Sequence, residues 1–153
     1  DPDAAIRTIH NEFYDCRSGK AIHLFIAGYG VVGKALVDII GKNRDKIEKR
    51  TGRRLHVCGL ANSRRFILDK NGLSLDNIAG QLAAGENAAD EAYFTQLATL
   101  TLENSVFVDC TASADIAFKY MNLFKKGYSV VACNKITFSA PYKQYSALKE
   151  AAI

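Results

Sequence analysis

At 153 residues the chain is most simply one domain, large enough to bury a real core. Its 48% hydrophobic and 24% charged content is ordinary for a globular chain, no apolar stretch approaches the ~20 residues of a membrane-spanning helix, and the first residues carry no signal-peptide pattern. The net charge of +4 is mild, and Asp45 and Glu48 interrupt the basic residues of Lys42 to Arg54, so that stretch reads as a solvated helix face rather than a nucleic-acid surface.

Leu24-Phe25-Ile26-Ala27 reads as a strand, and Gly28-Tyr29-Gly30-Val31-Val32-Gly33 follows it directly. A strand, a Gly-x-Gly-x-x-Gly turn and a helix start form the arrangement that lays a dinucleotide pyrophosphate on a helix N-terminus. Gly28 permits the tight turn, Gly30 lets the backbone approach the phosphates, and Gly33 lets the helix pack against the strand. Three glycines can also be a plain loop, so the flanks decide. Val31, Val32, Ala35, Leu36, Ile39 and Ile40 recur as one apolar helical face. Lys42 to Arg54 is polar, which predicts that the helix fades there into a surface turn. Leu55 to Ala61 is a second strand, completing a βαβ unit.

From Arg64 to Glu103 the pattern is helical and surface-like. Asn71-Gly72 marks a turn, Leu75 to Ala84 predicts a short helix, Gly85-Glu86-Asn87 breaks it, and Ala88 to Leu100 predicts another. Val106-Phe107-Val108 is a compact strand ending at Asp109-Cys110-Thr111. Ser113 is placed to cap a helix running to Lys126, with Ile116, Tyr120, Leu123 and Phe124 on one face and Gly127 closing it. Ser129 to Cys133 is the next strand, ending at Asn134-Lys135, and Pro141 opens a last helix toward Ala152. The expected fold is α/β and Rossmann-like: a doubly wound, mainly parallel sheet with helices on both faces.

The strand ends carry, in order, the glycine turn, Asn62-Ser63-Arg64-Arg65, Cys110-Thr111-Ala112-Ser113 and Asn134-Lys135. In an open parallel sheet ligands bind at the carboxyl ends of the strands, so these clusters form the expected cofactor site. A carboxylate at the end of the second strand would select NAD; here Asn62 and Ser63 are followed by Arg64 and Arg65, and a guanidinium pairs well with a 2′-phosphate. NADP is therefore expected over NAD. Cys58, Cys110 and Cys133 fall in or just after strands, as small buried side chains suited to a reducing cytoplasm. A catalytic cysteine at Cys110 or Cys133, both near the end where ligands bind, is the lesser reading because no adjacent histidine supports it, and no cysteine spacing suggests a metal.

Ala27 to Gly33, Val57-Cys58-Gly59-Leu60-Ala61-Asn62-Ser63, Val108-Asp109-Cys110-Thr111-Ala112-Ser113 and Asn134-Lys135 together resemble homoserine dehydrogenase, most closely in the bifunctional aspartokinase–homoserine dehydrogenases. The segment Ala4 to Phe13 is similar to the linker helix that joins the kinase part to the dehydrogenase in those enzymes. The resemblance implies a linker over residues 1–20, an NAD(P)-binding domain over 21–153, and a substrate domain not contained in this chain. It implies NAD(P)-dependent interconversion of L-homoserine and L-aspartate 4-semialdehyde, on the route to threonine, methionine and isoleucine. This chain alone is then expected to be inactive, and its parent a cytoplasmic homo-oligomer. Thr111 and Ala112 match positions that contact the cofactor near its nicotinamide half, and Lys135 matches an active-site lysine, the single catalytic candidate. Ala112 stands where the family often has Ser, so Ser113 is the alternative hydrogen-bond donor. Ile136 stands where a second Lys is common. A nucleotide-sensing domain that uses the same fold without chemistry is the rival reading.

Overall fold

The computed structural model describes residues 21–88, 91–100, 102–136, 139 and 141–153, so the linker expected over residues 1–20 lies outside the described residues. Strand β1 (Ala21–Ala27) leads through the glycine turn into helix α1 (Val31–Thr51), which returns the chain to β2 (Arg54–Ala61). A hairpin then adds β3 (Arg65–Leu68), helix α2 (Ile78–Ala83) and the two-residue β4 (Glu86–Asn87). Helix α3 (Ala92–Thr99) precedes β5 (Ser105–Asp109), the short helices α4 (Ala114–Ala117) and α5 (Tyr120–Lys125), β6 (Ser129–Ala132) and α6 (Tyr142–Ala151).

The described residues form one six-stranded sheet in the order β4-β3-β2-β1-β5-β6. β2, β1, β5 and β6 run parallel, and β3 and β4 join antiparallel at one edge. The chain winds from β1 outward to β2 and later crosses to β5 on the other side of β1. The carboxyl ends of β1 and β5 therefore flank the switch point where such sheets open a crevice. One core layer packs Leu24, Ile26, Val57, Leu60 and Val108 under Val37 and Ile40 of α1 and Ile78 and Leu82 of α2. The other packs Phe25, Phe66 and Phe107 under Tyr93 and Leu97 of α3 and Tyr120 and Leu123 of α5. The expected doubly wound sheet with helices on both faces is the observed fold.

Four local expectations need correction. The buried face of α1 is Gly33, Val37 and Ile40, whereas Val31 is 88% exposed and Val32 and Ile39 also face outward. A Cβ on Gly33 would stand 1.9 Å from the carbonyl oxygen of Gly28, so that glycine must face the turn, and its contact fixes the rotation of the whole helix. The helix does not fade at Lys42. It continues to Thr51, with Lys42 paired to Asp38 one turn back, until Gly52 ends it at φ 67° with its N–H donating to the Glu48 carbonyl. Arg65–Leu68, expected in a helical region, is a strand because Phe66 and Ile67 register against Ala61 and Leu60. The helix expected to run unbroken from Ser113 to Lys126 is instead two pieces, with Lys119 N–H bonding back only three residues, to Ile116.

The close of α5 follows the sequence expectation. Gly127 is left-handed at φ 84°, its N–H donates to Phe124 and that of Tyr128 to Leu123, the Schellman pattern. Nothing lies within 4 Å of where a Cβ on Gly127 would stand, so only the backbone conformation demands glycine. Gly127→Ala is expected to cost about 1 kcal/mol through that conformation, read as a lower urea midpoint with an unchanged slope.

Candidate cofactor site

Hydrogen bonds between strand ends gather the sequence-predicted site residues. Gly28 N–H donates to the last carbonyl of β2, Ala61, at 2.8 Å, and Cys110 N–H donates to the last of β1, Ala27, also at 2.8 Å. Cys133 N–H donates to the last of β5, Asp109, at 2.9 Å. The loops carrying Gly28–Gly33, Asn62–Arg64, Thr111–Ser113 and Asn134–Lys135 thus leave the sheet on one edge, side by side.

The three glycines of the turn do three different things. Gly28 adopts φ 95°, and a Cβ there would come within 2.9 Å of the Cys110 carbonyl carbon and oxygen and of the Thr111 methyl group. Gly33 has no room for a Cβ against Gly28. Gly30 is neither left-handed nor crowded: nothing lies within 4 Å of its would-be Cβ, which points into open space before the helix. The fold needs the first and third glycines. The second borders open space, and the fold makes no such demand on it.

That space faces the start of α1. The first bond of the helix is Lys34 N–H to the Gly30 carbonyl at 2.9 Å, so the N–H groups of Val31, Val32 and Gly33 have no acceptor inside the helix. No acidic residue occupies the first turn, and the Lys34 ammonium lies 5.6 Å from the centre of the Tyr29 ring. Unpaired donors, the positive end of a helix and a nearby ammonium suit a pyrophosphate. The residues present fit the group.

Asn62 shapes the hairpin after β2, its side-chain oxygen accepting the N–H of Arg64 at 2.8 Å and of Arg65 at 2.7 Å. Ser63, Arg64 and Arg65 are all exposed. The two arginines are not equivalent. Arg65 begins β3 and its guanidinium reaches the Gly85 carbonyl at 3.3 Å, whereas that of Arg64 meets no partner among the described residues.

Under the Thr111–Ser113 loop lies a group that the sequence analysis passed over. The Asp109 carboxylate is fully buried. One oxygen accepts the N–H and the hydroxyl of Thr111, each at 2.7 Å; the other accepts the Tyr120 hydroxyl and, at 3.1 Å, the Asn134 amide. The Thr111 hydroxyl in turn accepts Ser113 N–H at 3.2 Å, and Asn134 donates to the Ser113 carbonyl at 2.8 Å. Ser113 sits at the cap position but makes no side-chain capping bond. Burial and the bond to Asp109 push the Tyr120 hydroxyl well above its ordinary pKa, so it stays a donor. One carboxylate thereby fixes the turn after β5 and the start of the turn after β6. Ala112 is exposed at the tip of the first turn, and Lys135 is exposed on the second, between the buried Asn134 and the exposed Ile136.

Of the three described thiols, expected to be buried, only Cys58 is; Cys110 is half-buried. Burial pushes Cys58 up to about 12, and burial together with Cys133 pushes Cys110 up to about 11, so neither carries a ready thiolate. Cys133, expected to be buried, is exposed because β6 lies at the sheet edge. His23 and His56 stack at 6.0 Å where β1 and β2 run side by side before their buried halves, away from the strand ends.

Comparison with known proteins identifies the family and the fold. The family model "Homoserine dehydrogenase, NAD binding domain" matches residues 28–153. A bifunctional aspartokinase/homoserine dehydrogenase of Haemophilus influenzae is 30% identical over 95% of this chain, and a chloroplastic one of Arabidopsis thaliana is 32% identical over 95%. The chain spans only 18% and 16% of the length of those relatives. Among solved structures, a putative homoserine dehydrogenase of Archaeoglobus fulgidus aligns with TM-score 0.64 at 20% identity, covering 86% of this chain and 39% of that one. A hyperthermophilic archaeal homoserine dehydrogenase in complex with NADPH aligns with TM-score 0.63 at 20% identity, covering 86% and 41%. The matched range takes in the glycine turn, the Asn62 hairpin, the Thr111–Ser113 turn and Lys135, well over half of the chain: this chain belongs to the homoserine dehydrogenase NAD-binding domain family.

Proposed function

We propose that residues 21–153 bind NADP(H) for a homoserine dehydrogenase, within a longer and bifunctional polypeptide whose substrate domain acts on L-homoserine and L-aspartate 4-semialdehyde. The observation that carries the reading is the open space before Gly30, facing unpaired helix donors and bounded by backbone that leaves no room at Gly28 or Gly33. The N–H groups of Val31, Val32 and Gly33 hold the pyrophosphate, with Tyr29 and Lys34 beside it. Thr111, Ala112 and Ser113 line the nicotinamide half, steadied from beneath by Asp109. Lys135 supplies fixed positive charge next to the substrate. When bound, the nicotinamide supplies hydride exchange with the substrate carbon.

At the other end, Ser63 and Arg64 receive the 2′-phosphate. Arg64 is assigned ahead of Arg65 because its guanidinium is uncommitted, whereas Arg65 already spends a donor on Gly85. Calorimetric titration with NADPH and NADH tests this assignment. Arg64→Ala is expected to weaken NADPH about tenfold or more while leaving NADH nearly unchanged, and Arg65→Ala is expected to do much less. Equal losses for the two cofactors would remove the 2′-phosphate role. A larger selective loss at Arg65 would transfer it.

A further inference from the structure

Two of the thiols stand next to each other at the mouth of the site. The pairing of β5 with β6 runs from Val106 with Ser129 to Asp109 with Ala132, so the next residues in step are Cys110 and Cys133. Alternation along the strands sends both side chains to the face of Val108 and Val131. Neighbouring strands lie about 4.8 Å apart, inside the window of about 4.4–6.8 Å between Cα atoms that a disulfide spans. The Cys133 N–H to Asp109 carbonyl bond, at 2.9 Å, carries the β5–β6 ladder up to this pair. Cys133 is exposed, Cys110 is half-buried behind it, and both are free thiols. Cys58, the other described cysteine, packs into the core on the opposite face of the sheet.

We propose that Cys110 and Cys133 form a redox dithiol at the cofactor site, closed to a disulfide by a low-molecular-weight disulfide such as oxidised glutathione. The Cys133 thiolate attacks one sulfur of that disulfide, whose S–S bond breaks and releases one glutathione thiolate. The Cys110 thiolate then attacks the Cys133 sulfur of the mixed disulfide and releases the second. Two protein thiols are oxidised to one bond, one glutathione disulfide is reduced to two thiols, and the two protons pass from the cysteines to the glutathiones. Cys110, with its thiol held up at about 11, is the slow partner. The closing step accelerates about tenfold per pH unit from neutrality upward, as the thiolate fraction of Cys110 grows.

The bond would act on the site through backbone already in place. The Cys110 carbonyl carbon and oxygen lie 2.9 Å from where a Cβ on Gly28 would stand, and its own Cβ lies 3.7 Å from that position at Gly33. Tethering Cys110 to the end of β6 therefore restrains the wall against which the glycine turn packs.

The test needs no cofactor and no variant that must fold. The 153-residue chain is incubated with oxidised glutathione, quenched in acid, digested and mapped by mass spectrometry. The expected product has the Cys110 and Cys133 peptides joined, about 2 Da below the sum of the free thiols, and is reversed by dithiothreitol. Amide exchange over residues 110–113 is expected to slow about threefold or more in the oxidised chain. Cys110→Ser is expected to hold glutathione on Cys133 as a lasting adduct, and Cys133→Ser to form no internal bond. Glutathione persisting on Cys133 of the unsubstituted chain, a bond to another cysteine, no reaction, or unchanged exchange would each overturn the proposal.

Discussion

Gly33→Ala is expected to destabilise the domain by about 3 kcal/mol or more, the largest effect of any single methyl group at the site. The added Cβ would stand 1.9 Å from the Gly28 carbonyl oxygen and 2.9 Å from its carbonyl carbon, and both are backbone. No rotamer change relieves such a contact, so either α1 moves off the sheet or the turn opens. Moving α1 uncovers Val37 and Ile40, each contributing about 1.5–3 kcal/mol of burial. Opening the turn breaks the bonds that join Gly28 to Ala61 and Cys110 to Ala27. Urea unfolding followed by circular dichroism measures the loss. A midpoint within error of the unsubstituted chain would mean that the helix packs on the turn differently from the structure described. Gly30→Ala is the contrasting substitution. Its methyl group enters open space, so stability is expected to change by less than about 1 kcal/mol.

Asp109→Ala is expected to cost about 3–5 kcal/mol, because it leaves donors buried with nothing to accept them. The carboxylate takes bonds from Thr111 twice, from Tyr120 and from Asn134, and Asp109, Tyr120 and Asn134 are all buried. Bonds to a charged acceptor are the stronger kind, and removing the acceptor strands every donor at once. Asp109→Asn keeps the volume but turns an acceptor into a donor facing donors, so it recovers only part of the loss. Tyr120→Phe removes one bond and is expected to cost about 1–2 kcal/mol. Thermal unfolding of the three variants gives the order Ala, then Asn, then Phe, from least to most stable. A Phe variant as unstable as the Ala one would show that the tyrosine ring, not the carboxylate, carries the network.

These two positions also mark how far the sequence could be read. Features set by near neighbours were legible: the strand before Gly28, the glycine turn, the strands ending at Ala61 and Asp109, and the stop at Gly127. Each depends on residues within a turn or two of chain. The rotation of α1 was not legible, because Val32 and Ile39 are as apolar as Val37 and Ile40. The contact between Gly33 and Gly28 decides which of them is buried, and sequence periodicity does not contain it. β3 was missed because a four-residue strand becomes one only through its pairing with β2. Asp109 did leave a local signal, an acid completing the apolar run Ser105 to Val108 two residues before a threonine. Its other partners, Tyr120 and Asn134, lie 11 and 25 residues away and meet it only in the fold. That the candidate residues stand together at strand ends was legible. Which arginine is free was not, since that turns on Arg65 reaching Gly85 across the hairpin.

The proposed function assigns the space before Gly30 to a dinucleotide. Calorimetric titration of NADPH into the unsubstituted chain and into Gly30→Ala, whose stabilities are expected to lie within about 1 kcal/mol of each other, tests this. One equivalent bound by the first and at least about a tenfold weaker constant in the second is the expected result, since the methyl group would occupy the place of the pyrophosphate. Equal affinity in both, or no binding by the unsubstituted chain, would contradict the account.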